Sequence, residues 1–222
     1  MQEYIASISK EELSSLPTVD FPGRIIIIDT AAKAHQAVAA LVKERLVGFD
    51  TETRPSFRKG RPHKVALMQI STQDTCYLFR LNMIGICAEL KKFLENGDII
   101  KIGLSLHDDF NALSRSDQID AAGFVDLQTF VKDYRIADMS LQKLYAIIFG
   151  KRISKGQRLT NWEADTLTDS QAMYAALDAW SCLEIYKYLT AGLFSADESP
   201  YRHTPEELLR DNAPKAEAQV SD

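Results

Sequence analysis

Val47-Gly48-Phe49-Asp50-Thr51-Glu52 is a short strand, apolar at its start and acidic at its end. Successive side chains of a strand leave opposite faces, so Asp50 and Glu52 share one face and Phe49 and Thr51 the other. At about 5 Å and an effective dielectric of about 20, two such carboxylates repel by about 3 kcal/mol. A strand end that keeps both needs a cation or a raised pKa to relieve them. The plain alternative is a solvated strand end, and Asp-x-Glu alone does not exclude it.

Outward from this strand, apolar runs alternate with helical patterns. Arg24 to Asp29 reads as a buried strand, and Asp29-Thr30 can cap a helix over Ala31 to Arg45. After the acidic strand, Arg54 to His63 holds two prolines and Gly60 and is a loop. Val65 to Ser71 and Thr75 to Phe79 form a hairpin around Thr72-Gln73-Asp74. Then follow a helix from Gly85 to Glu95, a strand from Ile99 to Leu104, a helix from Leu106 to Arg115 and a strand from Gly123 to Leu127. The remainder is helical over Leu127 to Tyr134, Ser140 to Phe149 and Asp169 to Leu189, with a polar stretch from Gly150 to Thr166. A short helix over Ser9 to Leu16 precedes all of this. The pattern is a mixed α/β domain, a central sheet with helices on both faces.

The 222 residues, 45% hydrophobic and 26% charged, suit one folded domain and argue against a disordered or disulfide-stapled chain. We divide them into an N-terminal extension (1–22), a catalytic-sized body (23–195) and an acidic C-terminal tail (196–222) expected to be mobile. No apolar run approaches the ~20 residues needed to span a bilayer. The first residues lack the apolar core of a signal peptide, so a cytoplasmic protein is expected. Cys76, Cys87 and Cys182 are far apart and read as buried small hydrophobes rather than zinc ligands.

The net charge of −5 is uneven. Seven acids against three bases follow Thr190, which leaves the body nearly neutral. Within that body, Glu52 to Asp74 encloses Arg54, Arg58, Lys59, Arg61 and Lys64 without an acid, and Asp138 to Glu163 encloses Lys143, Lys151, Arg152, Lys155 and Arg158. Such segments can follow a phosphate backbone, or can simply be solvated loops.

Two further acidic signals lie downstream. In the helix from Leu106, at about 100° per residue, Leu106, Phe110 and Leu113 define the buried face. Asp109 falls at the edge of that face and Asp108 on the solvent side, where an early helical acid suits the macrodipole. His107 reads as a surface residue. Tyr174 and Asp178, four apart in the last helix, share one face among Ala175, Ala176 and Ala179, whose small side chains allow a close approach to the sheet. An aspartate within an apolar helix is costly unless something satisfies it. Asp50, Glu52, Asp109 and Asp178 together resemble the donor set of a two-metal centre, oxygen ligands suited to Mg²⁺ or Mn²⁺ rather than zinc.

These residues resemble the DEDD superfamily of 3′-5′ exonucleases in its tyrosine-type branch, the branch of ribonuclease D and the Werner-syndrome exonuclease domain. Phe49-Asp50-Thr51-Glu52-Thr53 matches the first motif, Lys101-Ile102-Gly103 through Asp109 the second, and Tyr174 to Asp178 the third. Ser140-Leu141-Gln142-Lys143-Leu144 and Asn161-Trp162 also fit, so the resemblance runs from about Ile25 to Leu189. It implies a ribonuclease H-like fold and hydrolysis from 3′ ends of nucleic acid to nucleoside 5′-monophosphates; of the two polymers we favour DNA, with RNA open. A role in DNA repair would suit it. Neither the helical C-terminal domain of ribonuclease D nor a helicase appears in these residues, so the resemblance speaks to the reaction more than to the substrate.

On this reading two divalent cations are bound by Asp50, Glu52, Asp109 and Asp178, while Glu52 and Tyr174 orient the attacking water. Thr51, Thr53, Arg58, Lys59, Arg61, Lys64 and Met68 are expected to touch substrate, and Phe57 to stack on a terminal base. For Met68 core packing is the favoured alternative, and Trp162 is expected to pack rather than face substrate. A nucleic-acid-binding module without activity would have lost an acid or the tyrosine, and none is lost. A hydrolase of small phosphoesters is a further competitor, which the basic segments oppose.

Overall fold

The computed structural model describes residues 3–55, 63–154 and 156–211. In chain order these form β1 (Ile5–Ala6), α1 (Lys10–Ser15), β2 (Arg24–Ile28), α2 (Ala31–Leu41), β3 (Leu46–Thr53), β4 (Val65–Ser71) and β5 (Thr75–Phe79). There follow α3 (Leu81–Ile84), α4 (Ala88–Leu94), β6 (Ile100–Gly103), α5 (Leu106–Leu113), β7 (Phe124–Asp126) and α6 (Leu127–Phe130), which runs into a 3-10 turn (Val131–Tyr134). The chain closes with α7 (Leu141–Phe149), α8 (Asp169–Thr190), β8 (Arg202–His203) and α9 (Pro205–Asp211).

Six strands make the central sheet in the order β2-β5-β4-β3-β6-β7. Only β4 runs antiparallel to its neighbours, because it is the middle strand of the meander β3-β4-β5. The others are parallel and therefore need helical crossovers. The expected hairpin is held by Thr72, whose N–H donates to the Thr75 carbonyl and whose hydroxyl accepts from the Thr75 N–H.

The sheet is covered on both faces, and β3 shows how. Val47 and Phe49 pack with Ala34, Val38 and Leu41 of α2 and with Leu90 and Phe93 of α4. Strand residues of opposite parity, Leu67, Cys76, Leu78 and Ile102, pack under α7 and α8. Helix α8 opens with a capping box between Thr168 and Gln171, and α1 with one between Ser9 and Glu12. Helix α4 starts at Ala88 rather than Gly85, because Gly85 has φ 64° and ends α3.

Residues 196–211, read from composition as the start of a mobile tail, carry β8 and α9 instead. β8 pairs with β1, Ala196 is buried, and Arg135 grips the Asp197 carboxylate with its two terminal guanidinium nitrogens, at 2.9 and 2.6 Å. A polar composition hid these long-range partners. Residues 212–222 lie outside the described residues. Among the described residues no helix is long and apolar enough to cross a membrane.

Candidate active site

The acidic end of β3 meets the first half of α8 because both backbones are bare where they cross. A Cβ added at Gly48 would lie 1.9 Å from the Ala179 carbonyl oxygen, so no larger residue fits there. Ala175, Ala176 and Ala179 are fully buried at the same crossing. This close seat brings Asp178 over the face of β3 that carries Asp50 and Glu52. One carboxylate oxygen from each of the three lies within 4.8 Å of the others. They open onto a cleft of about 550 Å³, whose walls include Tyr174, Arg158, Gln128, Ser140 and Gln142.

Asp109 reaches the strand end from the opposite side. Helix α5 begins where Asp126 accepts the backbone N–H groups of Ser105 and Leu106, at 3.0 and 2.9 Å. One turn on, Asp109 accepts a hydrogen bond from the Thr51 hydroxyl. Thr51 leaves the face of β3 away from Asp50, and Asp109 is not among the three clustered acids. Asp108 and His107 point to solvent with side chains 88% and 87% exposed, as the helical wheel predicts.

Charge crowding governs the electrostatics. Burial, then Asp178, Glu52 and Asp109, raise the Asp50 carboxyl well above its ordinary value. Burial, Asp178 and Asp109 push Glu52 up to about 8, against the pull of Arg158. Burial lifts Asp178 to about 7, with Tyr174 and Arg158 opposing, and Asp109 to about 6, with Thr51 opposing. Burial and the same acids hold the Tyr174 phenol protonated far above its usual range. Among the described residues none of Asp50, Glu52 and Asp178 forms an ion pair within 4 Å, so their charge is left for a ligand to balance. The oxygen-only set suits a hard divalent cation.

A stability prediction follows for the metal-free protein. Carboxyls whose folded pKa lies above the unfolded value disfavour ionisation in the fold. That cost is absent below the unfolded pKa, near 4, and grows until pH passes the folded values of about 6 to 8. Melts in EDTA are expected to show a lower Tm at pH 8 than at pH 5.5, and Mn²⁺ to restore more stability at pH 8. A Tm that rises across this range would contradict the crowding.

A second cleft of about 560 Å³ shares Thr51, Glu52 and Arg158 with the first and is lined further by Thr53, Arg54 and Arg115. Glu163 sits beside it, bonded to Arg54 at 3.3 Å and 3.7 Å from His63. Arg158, common to both clefts and acting on Glu52 and Asp178, was missed as a site residue; the sequence marked it only as one base in an acid-free segment. Lys64 is exposed and lines a third depression with Asn82, Asp117 and Glu163. Met68 is a correction: it is fully buried on the α2 and α5 side of the sheet and cannot touch substrate. Its parity on β4 matches Thr51, its cross-strand partner, and not Asp50. Trp162 is fully buried with its ring 6.2 Å from that of Tyr174, so it packs as expected. Phe57, Arg58, Lys59 and Arg61 lie outside the described residues.

Known proteins resemble this chain in sequence and in fold. Residues 25–193 match the family described as 3′-5′ exonuclease. The mouse bifunctional 3′-5′ exonuclease/ATP-dependent helicase WRN is 30% identical over 210 residues, which cover 87% of this chain and 15% of that protein. An Arabidopsis thaliana 3′-5′ exonuclease is 29% identical over 82% of this chain and 69% of its own length. Among solved structures, the Nibbler EXO domain of Aedes aegypti superposes with a TM-score of 0.67 at 24% identity, covering 85% of this chain and 94% of that one. Escherichia coli RNase D gives 0.68 at 22% identity, over 76% and 44%. Trypanosoma brucei RNase D in complex with RNA U12 gives 0.66 at 21% identity, over 76% and 63%. These structures establish the same fold.

Proposed function

The chain belongs to the 3′-5′ exonuclease family, and from that premise we propose that it shortens nucleic acid from its 3′ end with two divalent cations, Mg²⁺ or Mn²⁺, and releases nucleoside 5′-monophosphates. The observation that carries this reading is the trio Asp50, Glu52 and Asp178, within 4.8 Å and with no ion pair within 4 Å among the described residues, at the mouth of a cleft of about 550 Å³.

Asp50, Glu52 and Asp178 would hold one cation, and Asp50 with Asp109 the other. Bound ions of this kind lower the pKa of water from ~15.7 towards neutrality and neutralise charge that builds on the phosphate. Tyr174 supplies a phenol that stays protonated beside Asp178, so it can hold a water by hydrogen bonding without taking its proton. Glu52 faces the same space and fixes that water in line with the scissile bond. Arg158 faces both clefts from an exposed position and offers two parallel N–H groups to the phosphate entering between them. Thr51 and Thr53 flank this entry.

Of the two polymers we place DNA first and RNA second; the Trypanosoma brucei RNase D complex with RNA U12 is the finding that supports the second. The test uses 5′-labelled DNA and RNA strands of matched sequence, single and recessed, with Mg²⁺, Mn²⁺ or EDTA. Stepwise shortening from the 3′ end is expected with metal and none with EDTA. Binding without shortening of any strand would instead support the inactive nucleic-acid-binding module.

A further inference from the structure

Gln69 sits in β4 directly across from Asp50. It is fully buried, and neither its amide nitrogen nor its oxygen has a hydrogen-bond partner among the described residues. A buried amide left unpaired costs about 1–3 kcal/mol, so a strand centre that keeps one against an apolar residue has a use for it. Antiparallel partners present their side chains on one face with Cβ atoms about 4.5–5.5 Å apart. Gln69 therefore projects beside Asp50, under α8, and its other cross-strand neighbour, Leu78, offers no acceptor from its side chain. A carboxylate only accepts hydrogen bonds, whereas the amide nitrogen carries two N–H donors.

We infer that Gln69 is a positioning residue of the metal site: its amide N–H groups, unpartnered in this metal-free structure, lie beside Asp50 so that one can donate to its carboxylate once a cation is bound. The inference rests on the metal-site reading above. Carboxylates that bind metal are themselves held by hydrogen bonds, which fix their orientation. Asp50 needs such support most, because it belongs to both proposed cation sites and no side chain in the described residues donates to it. Across the interface, Ser181 lies three residues beyond Asp178 in α8 and is likewise fully buried with an unpartnered hydroxyl. The polar layer under α8 thus extends beyond the ligands, through Gln69 on β4 and Ser181 on α8.

The test replaces Gln69 by methionine, close in volume but without a donor. Two quantities are measured, Tm in EDTA and Mn²⁺ affinity by titration calorimetry. Gln69→Met is expected to keep or raise the metal-free Tm and to weaken Mn²⁺ binding about 10–100-fold, with kcat recovering at saturating Mn²⁺. A lower Tm with unchanged affinity would make Gln69 merely structural and overturn the inference. Gln69→Asn keeps an amide but withdraws it by one methylene, and serves if the methionine variant does not fold. It is expected to lose affinity similarly, and wild-type affinity in it would also overturn the inference. Absence of Mn²⁺ binding by the wild type would sink the metal-site reading itself. Wild-type binding and digestion matched by both variants would sink only the role of Gln69.

Discussion

Asp50→Asn is expected to lower exonuclease turnover by a factor of about 10³ or more, about 4 kcal/mol of barrier, while raising the Tm of the metal-free protein. The two effects have one cause. Asp50 is crowded by Asp178, Glu52 and Asp109 in a partly dehydrated cleft, so in the absence of a cation its charge works against the fold. Asparagine keeps the shape and removes that charge. Relief of about 1 kcal/mol would raise Tm by roughly 2–4 °C in a chain of this size. Loaded with cations, the same substitution removes the ligand that both proposed ions share, and nothing nearby replaces it. Digestion of a labelled strand in Mn²⁺ and a melt in EDTA check the two halves. Activity within tenfold of wild type would remove Asp50 from the chemistry, and a lower metal-free Tm would show that its charge is balanced by some other group.

How much of this was readable in the chain depends on the range over which each signal acts. The acidic end of β3 and the Tyr174 to Asp178 spacing are local periodicities, and they appear in the structure on the faces their parity and helical repeat demand. The sidedness of Asp108 and Asp109 was legible for the same reason. Partners across the fold were not. Gly48 reads as any glycine until Ala179 is placed 1.9 Å from its missing Cβ. β8 and α9 read as tail because β8 is held mainly by β1, almost the whole chain away. Met68 was open to substrate contact or core packing in the sequence, because its face relative to Asp50 depends on the β3–β4 register, which only the structure supplies. Gln69, one residue later with the opposite parity, left no mark in the sequence, since a lone glutamine in an apolar strand gains meaning only from the residue paired with it.

Asp109 carries the other large expected effect, and it is the harder case because the structure holds it apart. Its carboxylate accepts a hydrogen bond from Thr51 and stands outside the trio of Asp50, Glu52 and Asp178. One oxygen engaged by Thr51 leaves the second free, and the like charge of Asp109 already acts on Asp50 and Glu52. A cation between Asp50 and Asp109 would turn that repulsion into shared attraction, with Thr51 orienting the ligand from behind. Asp109→Asn is therefore expected to cut turnover at least about a hundredfold, or about 3 kcal/mol, and to reduce the Mn²⁺ bound at saturation from two ions to one. Asp108→Asn, one residue earlier but exposed on the outer side of α5, is expected to keep turnover within about threefold, since exposed charges screened by water contribute little. The pair is measured side by side, by strand digestion and by Mn²⁺ stoichiometry. If the two variants exchanged behaviour, the face assigned to α5 would be wrong. If Asp109→Asn lost activity but still bound two ions, Asp109 would act on the substrate rather than on a second cation, and the division of labour among the four acids would have to be redrawn around a single bound ion and the phosphate beside it.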